Sequence, residues 1–316
     1  MSAPSSCDKS MRTIKYLKNA RLNDPVIALG NFDGVHLGHL KVLKKAAAFA
    51  RKHGSLSAAL TFDPHPQQVV SPERGLRLLT TISERKDLIN ATGVDDLIVI
   101  KFGERLRKMS YDSFVRDFLV GGFGVRKVFV GFDYAFGKKR KGDVRHLRRL
   151  GKRFGFSVSV VPAVSVGGVR VKSSSIRKLV SSGRFNEAVK LLGHPYVITG
   201  RVVAGKGRGR RLGFPTANIN VDENKLIPLS GVYAGVVRAL GGLHKCVVNI
   251  GARPTFPSGG NAVEVHILNF RRAIRGRVIE VLLSKRFRDE RQFSDVRELK
   301  KQISRDVARA GRAVHI

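Results

Sequence analysis

The apolar pattern of this chain is interrupted at Gly193-His194-Pro195, where an alternation of strand-like and helix-like segments gives way to nearly continuous strand-like runs, and the domain boundary is expected there. Before the break, short apolar runs alternate with helix-like segments: Val26-Ile27-Ala28-Leu29, Leu56 to Phe62, Leu97 to Ile100, Val128 to Val130 and Val158 to Val161. Strands buried on both faces read as such continuous runs, so the rhythm predicts a parallel sheet with crossover helices. Leu40, Leu43, Ala47 and Ala50 stand opposite Lys41, Lys44, Lys45, Arg51 and Lys52, which predicts an amphipathic helix closed by Gly54. A helical stretch from Ser174 to Leu192 leads into the break. Beyond it, Val197 to Val203, Val232 to Val237, Lys245 to Ile250, Val263 to Leu268 and Val278 to Leu283 are short, rich in β-branched residues and separated by Gly and Pro turns, as in a small barrel. Val296, Leu299, Ile303 and Val307 then form one face of a closing helix, with Ser294 placed to cap it. The expectation is α/β plus β: two domains, residues 1–192 and 193–316, each long enough to bury its own core.

The chain carries 59 Lys and Arg against 24 Asp and Glu, a net charge of +35 that attracts polyanions. The bases are nevertheless spread along the whole sequence. Only Lys138 to Arg153 is dense, broken by Asp143, Leu147 and Leu150 as a helix would be, and aromatics do not interleave with it. The reading is a generally basic surface, with nucleic acid not expected as a partner. Cys7 and Cys246 offer neither a disulfide framework nor metal-ligand spacing, which fits a reducing cytoplasm. No stretch approaches the ~20 apolar residues that span a bilayer, and residues 1–13 lack an apolar export core, so no membrane association is expected. Homo-oligomerisation stays open.

Two segments carry phosphate chemistry. In the first, Gly30-Asn31-Phe32-Asp33-Gly34-Val35-His36-Leu37-Gly38-His39, an apolar strand runs into a Gly-rich turn and a helix start. The two imidazoles then lie one helical turn apart on the same side. A helix N-terminus offers unpaired N–H groups to a triphosphate, Gly34 and Gly38 allow close backbone approach, and the histidines can donate to charge developing on a leaving pyrophosphate. The bland alternative is a capped helix with two surface histidines. Thr61-Phe62-Asp63-Pro64-His65-Pro66 ends the second strand and either lines the same crevice or forms a rigid loop. Gly131 to Gly137, containing Asp133, leaves the fourth strand, and Ser173-Ser174-Ser175-Ile176-Arg177 opens a helix. Ser174 and Arg177 can reach an anion there, although the serines equally suit plain N-capping.

In the second segment, a flexible basic run from Gly205 to Gly213 tightens into Phe214-Pro215-Thr216-Ala217-Asn218-Ile219. The Gly-Lys-Ser/Thr order of a P-loop is missing. Arg210 and backbone amides can hold phosphates, while the Thr216 hydroxyl and Asn218 carbonyl are hard donors able to face magnesium. Glu264 is the only carboxylate of the run Ala262 to Leu268, on one face with His266 and Leu268. Pointing inward, it would be costly without a task such as accepting a proton from a substrate hydroxyl; with the strand reversed, it merely faces solvent.

The motifs, taken in order, resemble the prokaryotic bifunctional riboflavin kinase/FMN adenylyltransferases, or FAD synthetases, over about residues 24 to 310. They are Gly30 to His39, Thr61 to Pro66, Gly131 to Gly137 with Lys141-Gly142-Asp143, Ile176-Arg177, Gly213 to Asn218, Gly231-Val232-Tyr233-Ala234, Asn249-Ile250-Gly251 with Arg253-Pro254-Thr255-Phe256, and Glu264-Val265-His266. The resemblance implies a Rossmann-like nucleotidyltransferase module that adenylylates FMN, followed by a six-stranded antiparallel β-barrel with a C-terminal helix that phosphorylates riboflavin. ATP and magnesium would serve both, with flavins as substrates and products. It further implies that His36 and His39 are catalytic and bind ATP phosphates beside Gly30, Asn31, Gly34 and Gly38, and that Ser174 and Arg177 close on the triphosphate. Asp63, Pro64, His65 and Asp133 would contact flavin, Thr216 and Asn218 would hold magnesium nucleotide with Arg210 near, and Glu264 would be the base. Two places depart from the family pattern: Lys172, where a small hydroxyl residue is usual, and the basic loop Asn269 to Arg275, usually acidic. A transferase of the same type with another acceptor is the competing enzyme reading, against which the appended barrel speaks.

Overall fold

A computed structural model describes residues 11–15, 22, 24–205, 207–252 and 261–316; Cys7, Lys206 and Arg253 to Phe256 lie outside them. By packing, the described chain forms two compact units. The first holds the residues up to Leu76 and Arg85–Arg170; the second holds Arg77–Glu84 and Val171–Ile316. The strand pattern of the barrel starts just after Gly193, but the helices between Val171 and Leu192 pack with it.

In chain order the first stretch contains β1 (Arg12–Lys15), β2 (Val26–Leu29), α1 (Leu37–Lys52), β3 (Ser57–Asp63), α2 (Pro66–Val70), α3 (Ile82–Asn90) and β4 (Asp96–Lys101). It continues with α4 (Glu104–Lys108), α5 (Tyr111–Phe114), β5 (Lys127–Gly131), α6 (Val144–Phe154), β6 (Ser157–Val161) and the hairpin β7 (Ser165–Val166) with β8 (Val169–Arg170). β1 to β6 form one sheet of six strands in the order β1-β4-β3-β2-β5-β6, paired in parallel throughout. Its inner strands, β4, β3, β2 and β5, are buried on both faces, which is why they read as nearly unbroken apolar runs. Val26 and Ala28 face a core built with Val42, Leu43, Ala46, Ala47 and Ala50 of α1. Ile27 and Leu29 face the opposite core, with Phe114, Phe118, Leu147 and Leu150. Each fully buried Val, Leu, Ile or Phe side chain contributes about 1.5–3 kcal/mol. The order reverses at β2 and β5, and the crevice at the carboxyl ends of such strands is where ligands bind in open α/β sheets.

The second unit opens on α7 (Ser173–Ser181) and α8 (Phe185–Leu192). The helical stretch expected from Ser174 to Leu192 is present as these two helices, separated at Gly183, whose φ of 78° no helix accommodates. The strands β9 (Tyr196–Val203), β10 (Ala217–Val221), β11 (Gly231–Ala239), β12 (Gly242–Ala252), β13 (Asn261–Ile267) and β14 (Val278–Arg288) follow, with the short α9 (Arg208–Arg211) after β9 and α10 (Val296–Ala313) last. All pairings are antiparallel and the six strands close as β10-β13-β12-β11-β14-β9. Closure leaves no free sheet edge. Tyr233, Val237, Val248, Ile250, Val265 and Val281 fill the interior with essentially no exposure. α10 lies on the outer wall, where Val307, Ala310 and Val314 meet Val232, Ala234, Val236 and Val247. Its N-cap is Asp295, accepting from the Glu298 N–H at 2.8 Å, and Ser294 instead donates to the Glu298 carboxylate at 2.9 Å. Val296, expected on the packed face, is 62% exposed because the helix meets the barrel only beyond its first turn.

Residues 77–84 are held to this unit by a buried charge. Lys225 Nζ donates to Glu84 Oε2 at 2.7 Å and to the Leu79 carbonyl at 2.5 Å, both charged side chains being fully buried. Glu84 also accepts from the Thr199 N–H at 2.8 Å and the Thr81 N–H at 2.9 Å, while Thr81 Oγ1 accepts from the Glu84 N–H at 3.2 Å. The last two bonds form a capping box at the start of α3.

Candidate active sites

In the first unit, β2 ends at Leu29 and the chain turns through Phe32, Gly34 and Val35 with φ of 51°, 81° and 37°. A β-branched residue rarely occupies that region, so Val35 marks a strained turn of the kind found at functional sites. A Cβ on Gly30 would sit 2.8 Å from the Phe32 ring, so the turn also requires glycine at its start. The turn delivers His36 as the N-cap of α1, where its Nδ1 accepts from the His39 N–H at 3.3 Å. One helical turn on, the His39 ring stacks on His36 with centroids 3.6 Å apart and planes 15° apart, and meets the edge of Phe32 at 5.4 Å. His39 Nδ1 is buried and has no hydrogen-bond partner among the described residues. Burial first, then His36 and Arg85, hold the His39 imidazole well below the usual histidine range. It is therefore a neutral ring at neutral pH. The amides of the first turn of α1 add positive potential beside it.

Behind the turn lies a buried relay that sequence reasoning missed. Arg85, 1% exposed, places Nη1 3.3 Å from Thr61 Oγ1 and from the Phe62 carbonyl, and Thr61 Oγ1 donates to the Asn31 carbonyl at 2.9 Å. The end of β3 is thereby tied to the turn after β2. A lone basic residue in a helix gives no sequence signal for such a role. Asp63 and Pro64 are exposed just beyond the relay, whereas His65 is buried and caps α2, its Nδ1 accepting from the Gln67 N–H at 3.2 Å. Asp133 is exposed after β5, so the loops after β2, β3 and β5 all emerge at the carboxyl end of the sheet. Gly38 is the second residue of α1. Ser174, exposed, and Arg177, half-buried, lie on α7 in the second unit. The N-cap of α7 is Lys172, so the serines are not caps.

In the second unit the chain between β9 and β10 contains the helical turn α9, with Arg210 exposed on it. A Cβ on Gly205 would run into the Asn218 amide, and one on Gly209 into the Phe214 carbonyl and the Thr216 hydroxyl. The Gly-rich backbone thus lies directly against the two side chains that the sequence singles out. Glu264 on β13 stands opposite Asn218 on β10 and opposite Asn249 on β12, forming one row across three strands. Directly opposed residues have Cβ atoms ~4.5–5.5 Å apart, so the three polar groups converge. Val263, Val265 and Ile267 fill the barrel, so Glu264 and His266 are on its outer wall. The inward orientation entertained for Glu264 does not hold, because its flanking valines are the better interior residues. It is half-buried rather than openly solvated. His266 Nδ1 lies 2.9 Å from the Pro215 carbonyl and its ring meets the Phe214 edge at 5.6 Å, fixing the strand entry beside Thr216. Asn249 was legible as an amide in a β-branched run, yet only the register pairs it with Glu264. Among the described residues no group of three or more His, Cys, Asp or Glu comes together as a metal site.

The family model described as FAD synthetase matches residues 18–175, and the one described as riboflavin kinase matches residues 192–314. The bifunctional riboflavin kinase/FMN adenylyltransferase of Escherichia coli strain K12 is 36% identical over 94% of this chain and 95% of its own length. The enzyme of that description from Listeria monocytogenes is 39% identical over 89% of this chain and 90% of its own. A solved structure from Streptococcus pneumoniae, described as a macrolide-efflux protein, superposes with a TM-score of 0.85 at 29% identity, covering 96% of this chain and 99% of that one. No helix among the described residues is long and apolar enough to cross a membrane.

Proposed function

The chain belongs to the family of bifunctional riboflavin kinase/FMN adenylyltransferases, and from that premise we propose how its residues divide the work. It phosphorylates riboflavin to FMN with ATP, then adenylylates FMN with a second ATP to give FAD and pyrophosphate.

In the kinase reaction, Glu264 accepts the proton of the terminal ribityl hydroxyl as that oxygen attacks the γ-phosphorus of ATP, and ADP leaves. Asn218 and Asn249, on either side of it in register, orient the carboxylate and the hydroxyl. Thr216 and Asn218 are hard oxygen donors pressed against Gly209 and Gly205, a donor set that fits magnesium. When bound there, magnesium neutralises charge on the nucleotide phosphates. Arg210 supplies a further cation to the phosphates. The observation that carries this half is the row Asn218, Glu264, Asn249 beside a loop that only glycine permits.

In the adenylyl transfer, an FMN phosphate oxygen attacks the α-phosphorus of ATP, and the bond to pyrophosphate breaks. His36 and His39 donate hydrogen bonds to charge gathering on the departing pyrophosphate, over the amides at the start of α1 and the backbone of Gly30, Asn31, Gly34 and Gly38. Neutral His39 acts as a hydrogen-bond donor and does not need to exchange a proton. Asp63, Pro64, His65 and Asp133 frame the flavin side of the same strand ends. The reading places the protein in the cytoplasm, with its ATP.

Incubating the purified protein with riboflavin, ATP and magnesium, and separating flavins by chromatography, tests the assignment. FMN should appear first and FAD after it. His39→Ala should accumulate FMN, and Glu264→Gln should still convert supplied FMN to FAD. Loss of both activities from either well-folded variant would defeat the division.

A further inference from the structure

Residues 138–153 hold nine Lys and Arg against one carboxylate, and the structure exposes all nine cations. On α6 the exposed Arg145, Arg148, Arg149, Lys152 and Arg153 recur at i, i+3, i+4, i+7 and i+8, one face of the helix opposite the buried Leu147, Leu150 and Gly151. Asp143 neutralises only the first cation of that face, Arg145. It is the N-cap of α6, accepting from the His146 N–H at 3.0 Å, lies 2.8 Å from the His146 ring nitrogen, and pairs with Arg145 at 3.1 Å. Arg148, Arg149 and Lys152 form no ion pair among the described residues.

The stripe works against the helix that carries it. Lys152 and Arg153 suit the negative helix C-terminus, but Arg145 with Arg149, Arg148 with Lys152 and Arg149 with Arg153 are like-charge pairs at i, i+4, each destabilising. A polyanion lying along the face would relieve them. The apolar side of α6 is already committed to the sheet core, and no large exposed apolar side chain occurs between residues 138 and 153, so insertion into a lipid interface has nothing to insert. Nor does the stripe carry an exposed aromatic ring for base stacking, which limits contact to phosphates. We infer that the basic face of α6 is a docking surface for the sugar–phosphate backbone of a nucleic acid, engaged without regard to base sequence. The sequence showed a basic block within a basic chain; the structure sorts its helical cations onto one exposed face.

Fluorescence anisotropy of the full-length protein with a labelled mixed-sequence RNA of roughly 20 nucleotides, across a salt series, tests it. Arg148→Gln/Arg149→Gln/Lys152→Gln is compared with Lys300→Gln/Lys301→Gln/Arg305→Gln on α10, which removes the same charge from another exposed surface. The α6 variant should bind about tenfold or more weaker, and its slope of log affinity against log salt should fall by about 2, near 0.7 for each lost phosphate contact on a single strand. It should melt no lower than the parent, because like-charge pairs are gone, and should still make FAD. If it folds poorly, Arg149→Gln alone should lower the slope by about 0.7. Equal losses in the two triple variants would reduce the effect to diffuse charge and overturn the inference. So would unchanged binding in the α6 variant, no binding by the parent at about 150 mM salt, or binding only to vesicles containing phosphatidylserine.

Discussion

His39 connects local burial to a measurable pH dependence. Its pKa is lowered, so the folded protein holds it neutral while the unfolded chain takes up a proton near the ordinary value of 6.5. The stabilising contribution of the neutral ring is present above that value and is lost as pH falls below it toward the depressed folded value. Titration of histidine ring carbons by NMR should show one resonance, absent from His39→Ala, that does not shift through pH 6.5; a resonance shifting at the ordinary value would contradict the buried neutral ring. His39→Ala should lower FAD formation about 100- to 1,000-fold, the usual cost of losing one preorganised donor. Glu264→Gln should lower FMN formation from riboflavin about 100- to 10,000-fold, read from initial rates. Both residues were legible in the sequence because a histidine pair after a strand and a carboxylate in an apolar strand are exceptions to local pattern. The orientation of Glu264 was not legible, since alternation assigns residues to two faces without saying which face is the interior.

At the scale of elements, the inner parallel strands were readable because burial on both faces erases alternation, and the barrel strands because β-branched runs are punctuated by glycine. What escaped depends on partners distant in sequence. β1 has only four residues and earns its place by pairing with β4, and Gly183 breaks a helix whose apolar spacing continues across it. The segment 77–84 had no signature of belonging with the barrel, because its anchor, Lys225, lies 141 residues away from Glu84. Lys225→Met strands a buried carboxylate and should destabilise the second unit by about 3–5 kcal/mol. Chemical denaturation followed through the kinase activity measures this, and Glu84→Gln in the same chain should recover part of the loss. Stability unchanged by Lys225→Met would show that the pair does not hold the segment. At the last helix, Asp295→Ala should cost about 1 kcal/mol, whereas Ser294→Ala should cost little, because Asp295 is the residue that caps.

For the whole molecule, the proposed function rests on two anion cradles made by different means. The first is a helix N-terminus entered through a strained turn at the carboxyl end of a parallel sheet. The second is a Gly-rich loop pressed against hard oxygen donors on a barrel wall. In the proposed division of work each cradle delivers a different fragment of ATP to a flavin, and isotopic labelling separates the fragments. In wild-type protein supplied with riboflavin, γ-labelled ATP should place label in FMN and FAD, while α-labelled ATP should label FAD alone. In His39→Ala the γ-label should still reach FMN and the α-label should enter flavin only at the residual rate. Loss of γ-label transfer in that variant while it remains folded, or undiminished entry of α-label, would contradict the assignment of the two cradles.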